Sequence, residues 1–362
     1  MNIAERRAVV IAAGGTGGHV VPALAVAAVL KSRNVPVVWF GTKVGLEATM
    51  VPEHGIEMRW IDVAGLRGKS VVQTLLGPLK LIRALIQSIR QLHAIKPRAV
   101  LGMGGFVSGP VGLAALMLRK PLILHEQNAV AGMTNRWLSS VATLVFSAWP
   151  NVFKASRNAT VVGNPVRADM EALASQTHAV NADVNSPLRV LVIGGSRGAS
   201  ALNKLVPEAV ALMQTSVVVH HQTGAAEAAL VCNKYKAAPQ AKVRVSEFIQ
   251  DMTEAYRNAD VVICRSGAMT VTELGALGVP SILVPFPYAV DDHQTLNARH
   301  LSEAGAALLM PQNSLSAESL AQALTALSED RQKLTLMSNA ARGCYVPNAA
   351  ATVAYALMEV SR

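Results

Sequence analysis

Short apolar runs alternate with longer Ala-rich or amphipathic stretches along the whole chain. Residues 8–13, 35–40, 100–101, 121–124 and 160–162 are apolar without a period of two, the pattern of strands buried on both faces of a parallel sheet. After the first of them, Pro22 and the run 23–30 predict a helix with Pro22 in its first turn. Residues 113–118 predict another helix ahead of Pro121. A polar, small-residue segment at 171–188 then breaks the pattern and reads as a loop at the start of a second domain. From Arg189 the opening theme returns as RVLVIGG followed by a helix. Further apolar runs follow at 217–220, 243–245, 247–249, 261–264 and 281–285. A helix over 269–277 is stopped by Gly278 and Pro280, and a last helix covers roughly 349–361. Two strand–glycine-loop–helix openings half a chain apart predict an α/β protein of two Rossmann-like domains, with parallel sheets facing across a cleft.

One helical stretch has a different character. Leu75, Leu79, Ile82, Leu85, Ile86 and Ile89 recur at helical spacing, with Lys80, Arg83 and Arg90 between them. The face Leu75, Leu79, Ile82 and Leu85, with Lys80 and Arg83, suits an anionic bilayer surface. A greasy face in the core with its charges in water accounts for the same pattern equally well.

The glycines carry the candidate chemistry. GGTGGH at 14–19, GMGGFVSGP at 102–110, GGSRGA at 194–199 and RSG at 265–267 each follow a predicted strand. Such turns place backbone N–H groups and a positive helix end against an oxyanion. The first is not a dinucleotide fingerprint, because Val20 stands where the last glycine belongs and no acid closes the run 35–40. Nor is GLRGKS at 65–70 a P-loop, since Val63 occupies its first glycine position. His19, at the mouth of the first loop, is a candidate for a catalytic or ligand role, and the adjacent helix N-terminus favours its neutral form. His125-Glu126-Gln127-Asn128 lies at the C-terminal end of the strand 121–124, where ligands bind in open α/β sheets. Glu273, six residues after Gly267, is typed for a ribose diol because a carboxylate accepts from both hydroxyls. Together these features describe a nucleotide-sugar site. The chain has no Asp-x-Asp, the usual handle for a metal on such a donor, so neither an obligatory metal nor a cofactor is expected.

Composition narrows the class further. At 362 residues two domains are the natural prior. Hydrophobic residues reach 51% and mean hydropathy is +0.32, yet the longest apolar stretch, around 20–30, falls far short of the roughly 20 residues a spanning helix needs. Arg6 and Arg7 precede only residues 8–13 before the glycines, which is no signal peptide, so a cytosolic protein is expected. Cys232, Cys264 and Cys344 form no metal or redox pattern. A net charge of +10 favours an anionic partner: nucleic acid, anionic lipid or a phosphorylated substrate. With aromatics at 4% and glycines rather than Lys/Arg clusters at the loops, nucleic acid is disfavoured.

AGGTGGHVVPALAVA, MGGFVSGP, HEQN, GNPVR, GGSRGA, EFI, RSGAMTVTE and DDHQTLNA, in this order, span essentially the whole chain, which thereby resembles the MurG family of bacterial N-acetylglucosaminyltransferases. The resemblance implies the GT-B fold, with an acceptor- and membrane-binding domain at 1–165, a donor domain at 166–344, and the end of the chain, about 345–362, packing back on the first. It implies inverting transfer of N-acetylglucosamine from UDP-N-acetylglucosamine to lipid I, giving lipid II, on the cytoplasmic face of the inner membrane, with cell-wall synthesis proteins as further partners. By the same resemblance Thr16, Gly17 and Gly18 line the donor sugar or diphosphate, and Asn128 contacts the sugar. Arg167 and Ser196 serve the nucleotide and its phosphates, and the backbone at Ile249 reads the uracil edge. Ala268, Met269, Thr270, Val271 and Thr272 wrap the nucleotide, Glu273 binds the ribose, and Gln294 holds a sugar hydroxyl. An acceptor hydroxyl needs a base, for which His19 is well typed, with Glu126 or Asp292 as the competing candidates. The family often has paired glutamines where this chain has His293-Gln294. Rival readings on the same architecture are a diacylglycerol glycosyltransferase and a non-hydrolysing UDP-N-acetylglucosamine 2-epimerase.

Overall fold

The computed structural model describes residues 7–63, 77–178, 180–195 and 198–360. The chain forms two compact units: the first ends at Ala168 and takes up the chain again at Val346, and the second spans Asp169–Tyr345. Each is an α/β unit on a wholly parallel sheet.

In the first unit the strands are β1 (Val9–Ala12), β2 (Val37–Gly41), β3 (Glu57–Trp60), β4 (Ala99–Gly102), β5 (Leu122–Glu126), β6 (Leu144–Ser147) and β7 (Thr160–Val161), in the order β3-β2-β1-β4-β5-β6-β7. In the second they are β8 (Leu188–Ile193), β9 (Val217–Gln222), β10 (Ala241–Ser246), β11 (Val261–Cys264), β12 (Ser281–Leu283) and β13 (Ala307–Leu309), in the order β10-β9-β8-β11-β12-β13. β1 and β4 are buried at every position, as are β8 (but for Arg189) and β11, which explains their uninterrupted apolar runs. The strand order reverses between β1 and β4 and again between β8 and β11, so each unit has a switch point of the kind where open α/β sheets bind ligands.

Several elements differ from the sequence expectation. The first helix runs Gly17–Ser32, so Pro22 is its sixth residue and not part of its first turn. The helix expected at 113–118 runs Gly105–Met117, with Pro110 again at the sixth position. Both helices therefore begin inside their glycine loops, and the loops are shorter than the glycine pattern suggests. Residues 247–249 are irregular and not a strand, and a short helix, Ala168–Leu173, opens the stretch expected to be loop. The rest of that stretch is pinned to the second unit: His178 Nε2 donates to Ala259 O at 2.9 Å, and Asn181 N–H donates to Asp260 Oδ1 at 3.1 Å.

The helix Gly77–Ile95 resolves its two readings into two faces. Ala84, Ser88 and Leu92 are buried, with Leu85 and Ile89 packed on the same cluster. Leu79, Leu81, Ile82 and Ile86 stand on the outside, Leu79 being 65% exposed. Leu85 thus belongs to the core side and not to the outer face expected of it, because the apolar stripe is too wide for one face. Leu75 lies outside the described residues. No helix among the described residues is long and apolar enough to cross a membrane. The last helix, Ala349–Glu359, packs on Gly17–Ser32, where Val353, Ala354 and Leu357 join the core beneath β1 and Arg33 Nη2 donates to the Tyr355 hydroxyl at 2.6 Å.

Candidate active site

In the first unit the loops after β1 and β4 meet at the switch point. A Cβ on Gly105 would lie 2.4 Å from Gly14 O, and one on Gly104 would lie 2.9 Å from His19 Cδ2. Gly15, Gly104 and Gly105 have φ of +95°, +95° and +77°, a region that disfavours any side chain. Ser108 locks the second loop to the first strand, its hydroxyl donating to Ala12 O at 2.8 Å and accepting from Gly104 N–H at 3.1 Å. The structure therefore brings Thr16, Gly17, Gly18 and His19 beside the second glycine loop. Thr16 is exposed, Gly17, Gly18 and His19 are half-buried, and Thr16 Oγ1 lies 3.4 Å from His19 Nδ1. The first N–H groups of the helix have no acceptor within it, the usual basis of an anion site.

The polar quartet after β5 divides by role. His125 is fully buried; its Nε2 donates to Gly163 O at 2.8 Å while Nδ1 accepts from Gln127 Nε2 at 3.0 Å. Burial pushes its imidazole down to about 4, so it is a neutral scaffold group. Glu126, also buried, accepts at Oε1 from Asn128 N–H (3.1 Å) and Asn128 Nδ2 (3.3 Å), and at Oε2 from Gly132 N–H (3.0 Å) and Asn135 Nδ2 (2.9 Å). Gln127 is buried as well, and its carbonyl accepts from Trp149 Nε1 and Asn164 Nδ2. Only Asn128 of the four is half-exposed, held in place by the carboxylate before it. Arg167, half-buried, lies one residue before the end of this unit.

In the second unit the loops after β8 and β11 occupy the corresponding switch point. Gly195 and Gly198 have φ of +78° and +72°, and a Cβ on Gly198 would lie 2.2 Å from Thr223 O. Ser196 lies outside the described residues. Behind this loop Asn203 Nδ2 donates to Thr223 O at 3.0 Å and to Glu227 Oε2 at 3.0 Å, and Asn203 Oδ1 faces His221 Nε2 at 3.1 Å. His221 is pushed down to about 3, chiefly by burial and then by His220.

After β11, Gly267 caps the helix Ala268–Leu277, whose end is Gly278 at φ +67°. The side chains of Ala268, Met269, Val271 and Thr272 are buried, and the Thr272 hydroxyl donates back to Ala268 O at 2.9 Å. What this stretch presents is therefore backbone N–H at the helix start, with only Thr270 and Glu273 half-exposed. Glu273 Oε2 accepts from the hydroxyl of Tyr256 at 3.0 Å, and Tyr256 is itself fully buried. Gln294 Oε1 accepts from Phe286 N–H at 2.9 Å, next to the Phe286–Tyr288 edge-to-face pair. Asp291 and Asp292 both take positive φ just before the helix His293–Glu303. Ile249 is buried. Tyr256 has no mark in the sequence, because it reaches Glu273 from a separate element, the helix Met252–Arg257.

A model of the glycosyltransferase family 28 N-terminal domain matches residues 9–147, and one of the family 28 C-terminal domain matches residues 189–353. The chain is 50% identical over 357 residues to the UDP-N-acetylglucosamine–N-acetylmuramyl-(pentapeptide) pyrophosphoryl-undecaprenol N-acetylglucosamine transferase of Methylococcus capsulatus, covering 98% of each chain. It is 47% identical over 357 residues to the protein of the same name from Shewanella frigidimarina, covering 98% of this chain and 96% of that one. Among solved structures, Acinetobacter baumannii MurG matches with a TM-score of 0.82 at 39% identity, over 98% of this chain and 99% of the other. Two parallel-sheet units with glycine loops at both switch points, matched end to end by these relatives, place the chain in glycosyltransferase family 28, as a member of the MurG family.

Proposed function

We propose that this enzyme transfers N-acetylglucosamine from UDP-N-acetylglucosamine to lipid I, forming lipid II with inversion at the anomeric carbon. The observation that carries this reading is identity at about half of all positions, over nearly the full length, to relatives named for that transfer. In the reaction an acceptor hydroxyl oxygen bonds to the anomeric carbon while the bond from that carbon to the diphosphate oxygen breaks. The hydroxyl proton passes to His19 and UDP leaves with the bonding pair. Charge developing on the diphosphate is met by backbone N–H groups at helix starts, with Arg167 and Ser196 as further contacts. Thr16, Gly17, Gly18 and Asn128 line the sugar, Gln294 holds one of its hydroxyls, and Glu273 takes the ribose. Residues 268–272 surround the nucleotide through their backbone, and Ile249 offers its backbone to the uracil. Transfer of labelled N-acetylglucosamine should occur with lipid I and not with diacylglycerol, and UDP-N-acetylglucosamine alone should not be epimerised. Transfer to diacylglycerol, or epimerisation without acceptor, would establish one of the rival activities.

The exposed face Leu79, Leu81, Ile82 and Ile86, with Lys80 and Arg83 beside it, supports a second part of the proposal: peripheral docking on the anionic cytoplasmic surface of the inner membrane. Phe106, Leu113 and Met117 are likewise exposed, on the helix packed against this one. Leu79→Glu with Ile82→Glu alters no core position, so the double variant should stay folded and cease to pellet with vesicles containing anionic lipid. Equal pelleting by the folded variant would assign this face to a protein partner.

A further inference from the structure

Glu47 is a fully buried carboxylate that none of the chemistry above uses. It opens the short helix Glu47–Glu53 after β2, and both of its oxygens are engaged inside the first unit. Oε2 accepts from Gly15 N–H at 3.0 Å, while Oε1 accepts from Thr42 N–H at 2.9 Å and from the Thr42 hydroxyl at 2.8 Å. The surrounding backbone is shaped to admit it. A Cβ on Gly14 would lie 2.6 Å from its Oε1, one on Gly41 2.7 Å from its Cγ, and one on Gly45 1.9 Å from its Oε2. A buried carboxylate is costly even when hydrogen-bonded, and an apolar side chain would fill the space at less cost. What an apolar side chain would not do is hold Gly15 by its N–H.

Gly15 is exposed, lies at φ +95°, and has nothing within 4 Å of where a Cβ would stand, so no packing against a side chain can locate it. The bond to Glu47 ties it to the segment after β2, while Gly14 O in contact with Gly105 braces the other side of the loop. That same bond withholds the Gly15 N–H from substrate and leaves Gly17 and Gly18 to face it. We infer that Glu47 is a positioning residue for the loop: by fixing Gly15 it sets where Thr16–His19 stand relative to the acceptor hydroxyl. The inference rests on the proposed role of His19 in that loop.

Glu47→Gln tests it with little change of shape. The two Thr42 donors retain the amide oxygen, which turns the amide NH2 toward the Gly15 N–H, donor against donor. Turnover on lipid I should fall about tenfold or more, since small misplacements of reacting groups are costly. KM for UDP-N-acetylglucosamine should stay within about threefold, because transition-state geometry and not donor binding is lost. Val51→Ala is the control for a merely structural effect: Val51 is fully buried on the same short helix and has no part in the loop, so this variant should lower the unfolding temperature while keeping near-normal turnover. His19→Ala, run in the same assay, separates the two ideas. If His19→Ala loses turnover but Glu47→Gln matches Val51→Ala, Glu47 is scaffold alone and the inference fails. If His19→Ala keeps its turnover, the reading of the loop fails and takes this inference with it.

Discussion

His19→Ala should lower single-turnover transfer by about a hundredfold or more with donor affinity nearly unchanged, the pattern for a lost general base. The imidazole is half-buried against Gly104, with Nδ1 toward the Thr16 hydroxyl, on a loop fixed from two sides. The two carboxylates that compete for the role are differently placed. Glu126 is buried, and both its oxygens accept from Asn128, Gly132 or Asn135, so it serves to shape the loop that carries Asn128. Asp292 is exposed at positive φ and accepts from the Thr295 hydroxyl at 2.7 Å, which makes it a helix-start residue. The pH dependence distinguishes them. An imidazole must be neutral to accept the acceptor's proton, so with His19 as base wild-type turnover should rise with pH and then level. That acid limb should vanish in His19→Ala and persist in Glu126→Gln and Asp292→Asn, whatever their absolute rates. Near-normal turnover in His19→Ala with weakened donor binding would make His19 a binding residue and place the base elsewhere.

What could be seen in the sequence and what could not follows from where each interaction lies along the chain. β1, β4, β8 and β11 were legible because a strand buried on both faces must be apolar throughout, and Gly15, Gly104, Gly105, Gly195 and Gly198 after the first three because positive φ there favours glycine. The helix starts were misplaced for a physical reason. Gly17, Gly18 and Gly105 are poor helix formers, Pro22 suggests a first turn and Pro110 a loop, yet both prolines sit at the sixth position of their helices. Each then deprives a carbonyl four residues earlier, at Gly18 and Phe106, of its helical partner, a loss set against the burial of both prolines in the unit's interior. Periodicity alone could not divide the stripe on Gly77–Ile95, because residues on its two apolar faces share one spacing. The two candidate carboxylates show the same limit. Glu273 lies within one strand–turn–helix unit and was typed from its own neighbourhood, whereas its partner Tyr256 comes from the preceding helix, Met252–Arg257. Glu47 reaches Gly15 across 32 residues, and its only trace in the sequence is a pair of glycines, Gly41 and Gly45, outside any glycine loop.

Glu273→Ala should weaken binding of UDP by about 1.5–3 kcal/mol, the range for hydrogen bonds to a charged group. On the dissociation constant that is a factor of roughly 10–150. The carboxylate stands half-exposed on the helix that starts at the β11 switch-point loop, and the buried Tyr256 hydroxyl fixes one of its oxygens at 3.0 Å. A carboxylate so anchored meets a ribose diol without first losing rotamer freedom, which is why its removal should be felt in affinity. The Tyr256 bond also means that truncation disturbs the protein's own interior, so a second variant is needed. Glu273→Gln keeps an oxygen for Tyr256 and loses the charge; it should unfold near the wild-type temperature and still bind UDP more weakly than wild type. Deoxygenating the ligand provides the complementary arm. If Glu273 holds the ribose, the 2′-deoxy nucleotide should bind wild type more weakly than UDP does, and Glu273→Ala should largely erase that difference. Calorimetric titration of both nucleotides into the three proteins measures each of these quantities. Equal UDP affinity in wild type and folded Glu273→Gln, with the 2′-deoxy penalty intact in Glu273→Ala, would remove Glu273 from the ribose site and leave it as the anchor of Tyr256.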